Sequence, residues 1–333
     1  MARAVLPWFR GAVSVWTTSL LFYQTLLFGG YAYAHVGRRL GVRHQAVLHM
    51  LLVGLSLLLL PVTPAEAWKP SGPEAPTWRL LGLLTSSVGA QYLLLAGTTP
   101  LLHDWFGRAA AHRSPYRLYA VSNAGSLLAL LAYPTVVEPL MAVRLQGIGW
   151  SWAYGGFALG LAGLVWRIAW TPGGVSLDAE LSASESSTTR SASGQSTSAP
   201  SRSELIFWAA LAACGTGLLM AIPNMITMDV ASVPLLWVVP LALYLTTFIL
   251  AFGGAYRRST WSAFLVLGLG ATSLLWAGGF ALPVLIQIPL GCGVLVAGCM
   301  VCHGELARTA PHARHLTVFY LTMAAGGALG VLR

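Results

Sequence analysis

The sequence predicts an all-α polytopic membrane protein with about ten transmembrane helices, and three observations favour this fold class. Of its 333 residues, 56% are hydrophobic and only 9% are charged, and the mean hydropathy is +0.70. A soluble domain carries roughly 25% charged residues, so this chain could not cover a water-exposed surface. Apolar runs recur along the chain, and each matches the roughly 20 residues of a membrane-spanning helix. The composition therefore excludes a soluble enzyme, a secreted disulfide scaffold and a disordered chain.

Ten apolar segments, labelled A to J in chain order, are each predicted to form a helix, because backbone polar groups in lipid need partners within the same segment. They are residues 12–35, 46–62, 80–101, 116–135, 147–170, 204–223, 231–252, 260–280, 282–302 and 315–332. Segments H and I are separated by only a few residues near Pro283, so we expect a tight turn between them.

Residues 171–203 interrupt this pattern, because about a third of them are serine and few are apolar. Such a composition predicts a flexible linker. The linker divides the chain into an N-terminal helical half, residues 1–170, and a C-terminal helical half, residues 204–333, with five predicted helices each.

Basic residues are unevenly shared between the two sides of the membrane. Loops A–B, C–D, E–F, G–H and I–J contain most of the 19 Lys and Arg, namely Arg38, Arg39, Arg43, Arg108, Arg113, Arg117, Arg167, Arg190, Arg202, Arg257, Arg258, Arg308 and Arg314. Because basic loops stay in the cytoplasm, these loops and the linker are predicted to be cytoplasmic. Met1 would then lie outside. The basic residues form no patch, so we expect no nucleic-acid partner.

The two halves share an internal repeat before segments D and J. A histidine is followed by an arginine at +5 and a second histidine at +9, in His103, Arg108 and His112 and again in His303, Arg308 and His312. Segments A and G also share Trp-x6-Tyr, then a Gly-Gly pair and a double arginine. Two such matches in the same order indicate duplication rather than chance similarity.

This pairing leaves segments E and F without partners, so the parent architecture would have six plus six helices. The chain would lack the first and the twelfth. Two pseudo-repeated halves of six helices are the major-facilitator-like arrangement. The end of segment A also resembles the facilitator loop signature Gly-x3-Asp-Arg-x-Gly-Arg-Arg, here Gly30-Tyr-Ala-Tyr-Ala-His-Val-Gly37-Arg38-Arg39. Ala34 and His35 replace the Asp and Arg of that signature.

Several strings resemble a bacterial family of membrane-integrated spermidine-synthase-like proteins. They are Leu6-Pro-Trp-Phe9, Val15-Trp16-Thr-Thr, Leu118-Tyr-Ala-Val-Ser-Asn-Ala-Gly125, Val137-Glu-Pro139, Cys302-His-Gly-Glu-Leu-Ala-Arg308 and Arg314-His-Leu-Thr317. The resemblance implies a multi-pass protein of the bacterial inner (cytoplasmic) membrane. Full-length members continue into a soluble aminopropyltransferase-like domain. No strand-Gly-x-Gly-helix unit occurs here, so we expect only the membrane domain, without a cofactor.

Polar residues inside apolar segments are candidate ligand contacts, because they are costly in lipid. The substrate-cavity candidates are Gln24, Gln91, Asn123, Asn224 and Gln287. Packing between helices is the alternative for these residues, and such polar contacts are worth about 0.6 kcal/mol on average. We also expect two ion pairs in the repeat loops, Glu305 with Arg308 and Asp104 with Arg108. No catalytic residue and no metal site are predicted.

The string Cys299-Met-Val-Cys302-His303 matches the C-x-x-C-H pattern of covalent haem attachment. Here it ends a segment on the predicted cytoplasmic side, and the equivalent His103 has no cysteines beside it. We therefore interpret it as an ordinary helix end.

The predicted function is that of an integral membrane domain without catalysis of its own, which binds or moves a polyamine or a similar small metabolite. Its expected partners are the lipid bilayer, a soluble aminopropyltransferase-like domain and an unidentified small molecule. A stand-alone facilitator-type transporter and a structural membrane anchor are the alternatives.

Overall fold

The computed structural model describes residues 13–63, 68, 76–109, 116–170, 199–229, 238–278, 283–311 and 315–331. These residues form helices and no strand, which confirms the all-α fold class. The predicted linker 171–203 lies almost entirely outside the described residues.

Eleven helices are numbered here in chain order, and their bounds are as follows. They are α1 (Val13–Gly37), α2 (Val42–Ser56), α3 (Pro76–Leu84), α4 (Ala90–Ala109), α5 (Tyr116–Ala132), α6 (Val143–Trp170), α7 (Arg202–Asp229), α8 (Val238–Phe252), α9 (Arg258–Ala277), α10 (Val284–Arg308) and α11 (Leu316–Val331). A π-helical turn, Thr85–Gly89, joins α3 to α4, so segment C is one continuous helical rod. Each of the ten predicted segments thus contains a helix.

Six of the described helical stretches are long and apolar enough to cross a membrane. They are Val42–Leu59, Thr77–Gly107, Leu118–Leu140, Val143–Ile168, Arg202–Ile222 and Leu285–Arg308. Val238–Phe252 and Leu316–Val331 are apolar but shorter. These lengths and compositions indicate a membrane protein, while ten spans and the six-plus-six repeat stay predictions.

The structure corrects the placement of several residues predicted to lie in loops. His103 and Arg108 lie within α4, and His303, Glu305 and Arg308 lie within α10. Gly37 of the predicted loop motif is the last residue of α1 and is followed by a 3-10 turn, Arg38–Leu40, whereas Gly30 lies in α1 within predicted segment A. Hydropathy marks the part of a helix that suits lipid, whereas the helix itself continues wherever water or ion pairs satisfy its polar side chains.

Two short connections between helices contain a glycine with a positive φ angle. Gly41 has φ +73° between the 3-10 turn and α2, and Gly254 has φ +90° between α8 and α9. Residues with a Cβ rarely adopt these angles, so glycine allows the chain to reverse direction within a few residues at both connections.

The first compact unit comprises residues 1–109 and 137–196. Within it α1 packs on α3 and α4, and α2 packs on α4 and α6. The approach of α1 to α4 depends on Gly30, because a Cβ there would lie 2.7 Å from the Leu93 carbonyl oxygen and 2.8 Å from the Ala96 Cβ. The absence of a side chain therefore sets this interhelical distance.

The second compact unit comprises residues 110–136 and 197–333, so α5 belongs to it although α5 precedes the linker in sequence. Helix α10 packs on α7, α8 and α9, α7 packs on α11, and α5 packs on α8. Tyr119 of α5 contacts aromatic rings of two helices. Its ring lies 4.8 Å from the Phe252 ring of α8 and 5.3 Å from the Tyr320 ring of α11.

Candidate functional site

Buried polar side chains connect α2 and α4 in the core of the first unit. His49 of α2 is fully buried, and its Nε2 lies 2.9 Å from the Thr98 hydroxyl of α4. The Tyr33 hydroxyl lies 3.2 Å from the other ring nitrogen, Nδ1. Both nitrogens of this imidazole are therefore in contact with hydroxyl groups, which fixes the ring in the helix interface.

Two further polar contacts lie on either side of His49 along the same pair of helices. Toward one end, the Trp105 indole N–H donates to the Gln45 side-chain oxygen at 2.9 Å. Toward the other end, the Gln91 amide donates to the Ser56 carbonyl at 3.4 Å, and the Ser56 and Tyr154 hydroxyls lie 2.7 Å apart. We call the contacts Gln45–Trp105, His49–Thr98 and Ser56–Gln91 the polar ladder.

Gln91 is the predicted cavity residue with the most distinctive environment. Its side chain is fully buried, and its Oε1 has no hydrogen-bond partner among the described residues. A buried carbonyl oxygen without a donor is costly, so this position suits a donor from a bound ligand or from an ordered water.

The other cavity candidates are less buried or lie outside the described side chains. Asn123 donates to the Tyr119 carbonyl of its own helix at 2.8 Å. Gln24 and Gln287 are both half-buried, on α1 and α10 respectively. The side chains of Asn224 and Arg108 fall outside the description, so the structure does not test the role of either.

The double arginine after α1 forms an ion pair with the end of α4. The Arg38 guanidinium Nε lies 3.1 Å from the Asp104 carboxylate, whose side chain is fully buried. Arg39 is exposed. The pair predicted from the sequence, Asp104 with Arg108, involves a side chain outside the described residues and stays a prediction.

In the second unit, Glu305 accepts hydrogen bonds from Tyr256 and Arg308 at the end of α10 and forms an ion pair with Arg258. The Arg258 Nε lies 3.2 Å away, the Arg308 Nη1 lies 3.0 Å away, and the Tyr256 hydroxyl donates at 2.9 Å. The pair Glu305–Arg308 is as predicted. Burial and the bond to the Glu305 carboxylate raise the pKa of Tyr256 to about 12, so its hydroxyl stays a donor at neutral pH.

A cleft of about 310 Å³ opens beside this cluster. Its lining combines Tyr256 and Arg308 with small or apolar residues of α8 and α10. Gly304 is required here, because the Tyr256 ring occupies the space that a Cβ at position 304 would take.

His303 lies one residue away from this cleft but faces the core. Its Nδ1 lies 2.9 Å from the Thr247 hydroxyl, and its ring stacks on Phe248 with centroids 3.5 Å apart. The Tyr244 ring approaches edge-on at 4.8 Å. This histidine therefore fills a packed aromatic interface between α8 and α10.

Comparison with protein-family models, curated proteins and solved structures found no match to this chain.

The polar ladder is absent from the sequence-based predictions, although the residue spacing contains one signal for it. Gln91, Thr98 and Trp105 are spaced seven residues apart, and His49 and Ser56 are also seven apart. Residues seven apart, about two helical turns, lie on nearly the same face of a helix. These spacings therefore place each set of polar residues along one face. The packing of α2 against α4 shows that these two polar faces contact each other.

Proposed function

We propose that the chain is the membrane-embedded domain of a spermidine-synthase-like protein with two major-facilitator-like halves. In this proposal it binds or moves a polyamine, or a similar small cation, and performs no aminopropyl transfer by itself.

The observation that carries the proposal is a similar ion pair in each half of the predicted repeat, with both partners offset by one residue between the halves. Arg38 follows α1 and pairs with Asp104 of α4, while Arg258 follows α8 and pairs with Glu305 of α10. In both places the arginine belongs to the repeated double-arginine string, and the acid follows the repeated histidine by one or two residues. A similar tertiary contact in both halves supports duplication over chance similarity between apolar helices.

The helix pairs around these ion pairs support the same duplication. Helices α1 and α4, which derive from segments A and C, pack together in the first unit. Helices α8 and α10, which derive from the matching segments G and I, pack together in the second unit. A duplicated bundle of this kind is the basis of facilitator-type solute binding between halves.

Gln91 supports a cationic or amine-bearing ligand. Its Oε1 is a buried acceptor whose donor is absent from the described residues, and an ammonium or amine group can supply such a donor. Hydrogen bonds that involve a charged group contribute roughly 1.5–3 kcal/mol.

The proposal is tested with purified protein in phospholipid vesicles and labelled putrescine or spermidine. We expect saturable binding or uptake, and we expect Gln91→Leu to weaken it at least about tenfold, since 1.4 kcal/mol is a factor of ten. Ser86→Ala is the matched control, because Ser86 precedes Gln91 by five residues, is exposed and bonds only to its own helix turn.

Two results would contradict the proposal. Absence of saturable polyamine binding by the folded protein would favour a structural membrane anchor. Conversion of putrescine to spermidine by this chain alone, supplied with decarboxylated S-adenosylmethionine, would show catalysis that the proposal excludes.

A further inference from the structure

The cleft beside Glu305 lies at the end of a helix that is long and apolar enough to cross a membrane. The apolar stretch Leu285–Arg308 ends at Arg308, and Arg308 lines the cleft. Phe252, the last residue of α8, contributes an apolar part of the wall. The volume of about 310 Å³ is at the lower end of the range for ligand pockets, so the cleft suits a small chemical group.

Positive side chains outnumber negative ones around this cleft. Glu305 is held between two guanidinium groups, those of Arg258 and Arg308. A third arginine, the exposed Arg257, directly precedes Arg258. Three arginines and one glutamate give these four residues a formal net charge of +2. This surplus favours an anionic ligand.

Both arginines of the ion pairs keep donors available for such a ligand. Arg308 bonds to Glu305 through Nη1, and Arg258 approaches the same carboxylate through Nε. The remaining guanidinium N–H groups of both side chains make no hydrogen bond to a described residue, and the Arg308 side chain is 52% exposed. Guanidinium groups present paired N–H donors that match the oxygens of a phosphate.

The matching ion pair of the first unit is less accessible. The Arg38 side chain is only 21% exposed, and the carboxylate of its partner Asp104 is fully buried. In the second unit, by contrast, the cluster borders a cleft in which the Tyr256 ring packs over Gly304 and its hydroxyl donates to Glu305. Tyr256 is thus fixed at its ring and at its hydroxyl, which gives the cleft a defined wall.

We propose that the cleft between α8 and α10 binds a phosphate group, with Arg308 contacting the phosphate oxygens and Arg258 supplying neighbouring positive charge. The same chemistry recognises the headgroup of an anionic phospholipid and a soluble phosphate ester, and the test distinguishes these two sources. This inference does not depend on the polyamine ligand, because Gln91 belongs to the first unit and the cleft to the second.

The test titrates the purified full chain in an uncharged detergent with two phosphate compounds. Dioleoylphosphatidylglycerol represents the lipid source, and native mass spectrometry counts the bound molecules. Glycerol 3-phosphate represents the soluble source, and isothermal titration calorimetry measures its binding. Dioleoylglycerol, which has the same acyl chains without a phosphate, is the ligand control. We expect saturable binding of one phosphate compound per chain, and the compound that binds identifies the source.

Two variants test the location of the phosphate. Arg308→Gln should weaken binding at least about tenfold, because hydrogen bonds to a charged group are lost. Arg202→Gln is the matched control, since Arg202 is an exposed arginine at the start of α7 in the same unit and does not line the cleft. Ala307→Leu should also weaken binding, because it fills the cleft while every arginine stays in place.

The proposal is overturned if neither phosphate compound binds saturably, or if dioleoylglycerol binds as tightly as the phospholipid. Equal affinities of Arg308→Gln and Arg202→Gln would also overturn it. Unchanged binding by Ala307→Leu would place the phosphate outside the cleft, with the same consequence. Circular dichroism and size-exclusion profiles of each variant in the same detergent establish that the compared proteins are folded.

Discussion

At the scale of single residues, several buried polar side chains have a specific partner on another helix. Thr247 illustrates this, because its hydroxyl contacts the His303 ring across the interface of α8 and α10 at 2.9 Å. Neighbouring Thr246 instead donates to the Ala242 carbonyl of its own helix at 2.8 Å. The adjacent threonines thus have different roles, and substituting each one in turn distinguishes the contact between helices from the bond within one helix.

We expect Thr247→Val to lower the free energy of unfolding by about 1–3 kcal/mol, because it leaves the buried His303 Nδ1 without its partner. Thr246→Val should cost less than about 1 kcal/mol, since the Ala242 carbonyl keeps its helical hydrogen bond. Unfolding of detergent-solubilised protein by denaturant, followed by circular dichroism, measures both values. Equal losses for the two variants would contradict the assigned role of Thr247.

The two ion pairs of the repeat should differ in strength, because their burial differs. Arg38→Gln removes a charged partner of the fully buried Asp104 carboxylate, and breaking a buried pair costs up to about 3–5 kcal/mol. Arg258 is 69% exposed, and Glu305 keeps Arg308 and Tyr256, so Arg258→Gln should cost about 0–1 kcal/mol. The same unfolding assay measures the loss of unfolding free energy in each of the two variants. A larger loss for Arg258→Gln would contradict this ranking.

At the scale of helices, glycines determine how closely neighbouring backbones approach. Gly326 of α11 lies against α7, and a Cβ there would come 2.8 Å from the Ala209 Cα and closer still to its carbonyl oxygen. Backbone atoms cannot rotate away as a flexible side chain can. Gly270 of α9 differs, because a Cβ at that position would meet nothing within 4 Å.

Gly326→Ala should therefore destabilise the protein by about 1–3 kcal/mol, the usual cost of forcing extra atoms into a packed interface. Gly270→Ala is the matched control and should be neutral or slightly stabilising, because alanine favours the helix by up to about 1 kcal/mol. Thermal unfolding midpoints of the two variants provide the comparison. A neutral Gly326→Ala would mean that α7 and α11 separate without cost.

The polar ladder predicts pairwise coupling between α2 and α4. A double-mutant cycle on His49→Leu and Thr98→Val should give a coupling energy of about 0.6 kcal/mol, with about 1.7 kcal/mol as the upper end for such contacts in membrane proteins. A second cycle on Gln45→Leu and Ser56→Ala, which belong to different steps of the ladder, should be additive within about 0.5 kcal/mol. Additivity in the first cycle would contradict the His49–Thr98 contact.

At the scale of the whole molecule, the described residues form two compact units whose composition does not follow the chain order. Residues 110–136 belong with the C-terminal residues, although the serine-rich linker follows them only after residue 170. The division of the sequence into halves at that linker stays a prediction, as does the orientation derived from the basic loops.

Reporter fusions test the predicted orientation. Green fluorescent protein fused within residues 171–203 should fluoresce, and alkaline phosphatase at the same place should be inactive, because the basic loops favour the cytoplasm. Fusions within residues 64–75, between segments B and C, should give the opposite pattern. Phosphatase activity at the linker would reverse the predicted topology.

The sequence by itself determined the fold class and the location of the helical segments, because hydropathy and helix length are local properties of the chain. It also determined the Glu305–Arg308 pair, whose residues lie one turn apart on the same helix. The tertiary structure alone decided that Asp104 pairs with Arg38 and that Gln91 is buried beside Ser56. These contacts depend on the rotation and depth of each helix against its neighbours, which close packing sets between residues far apart in the chain.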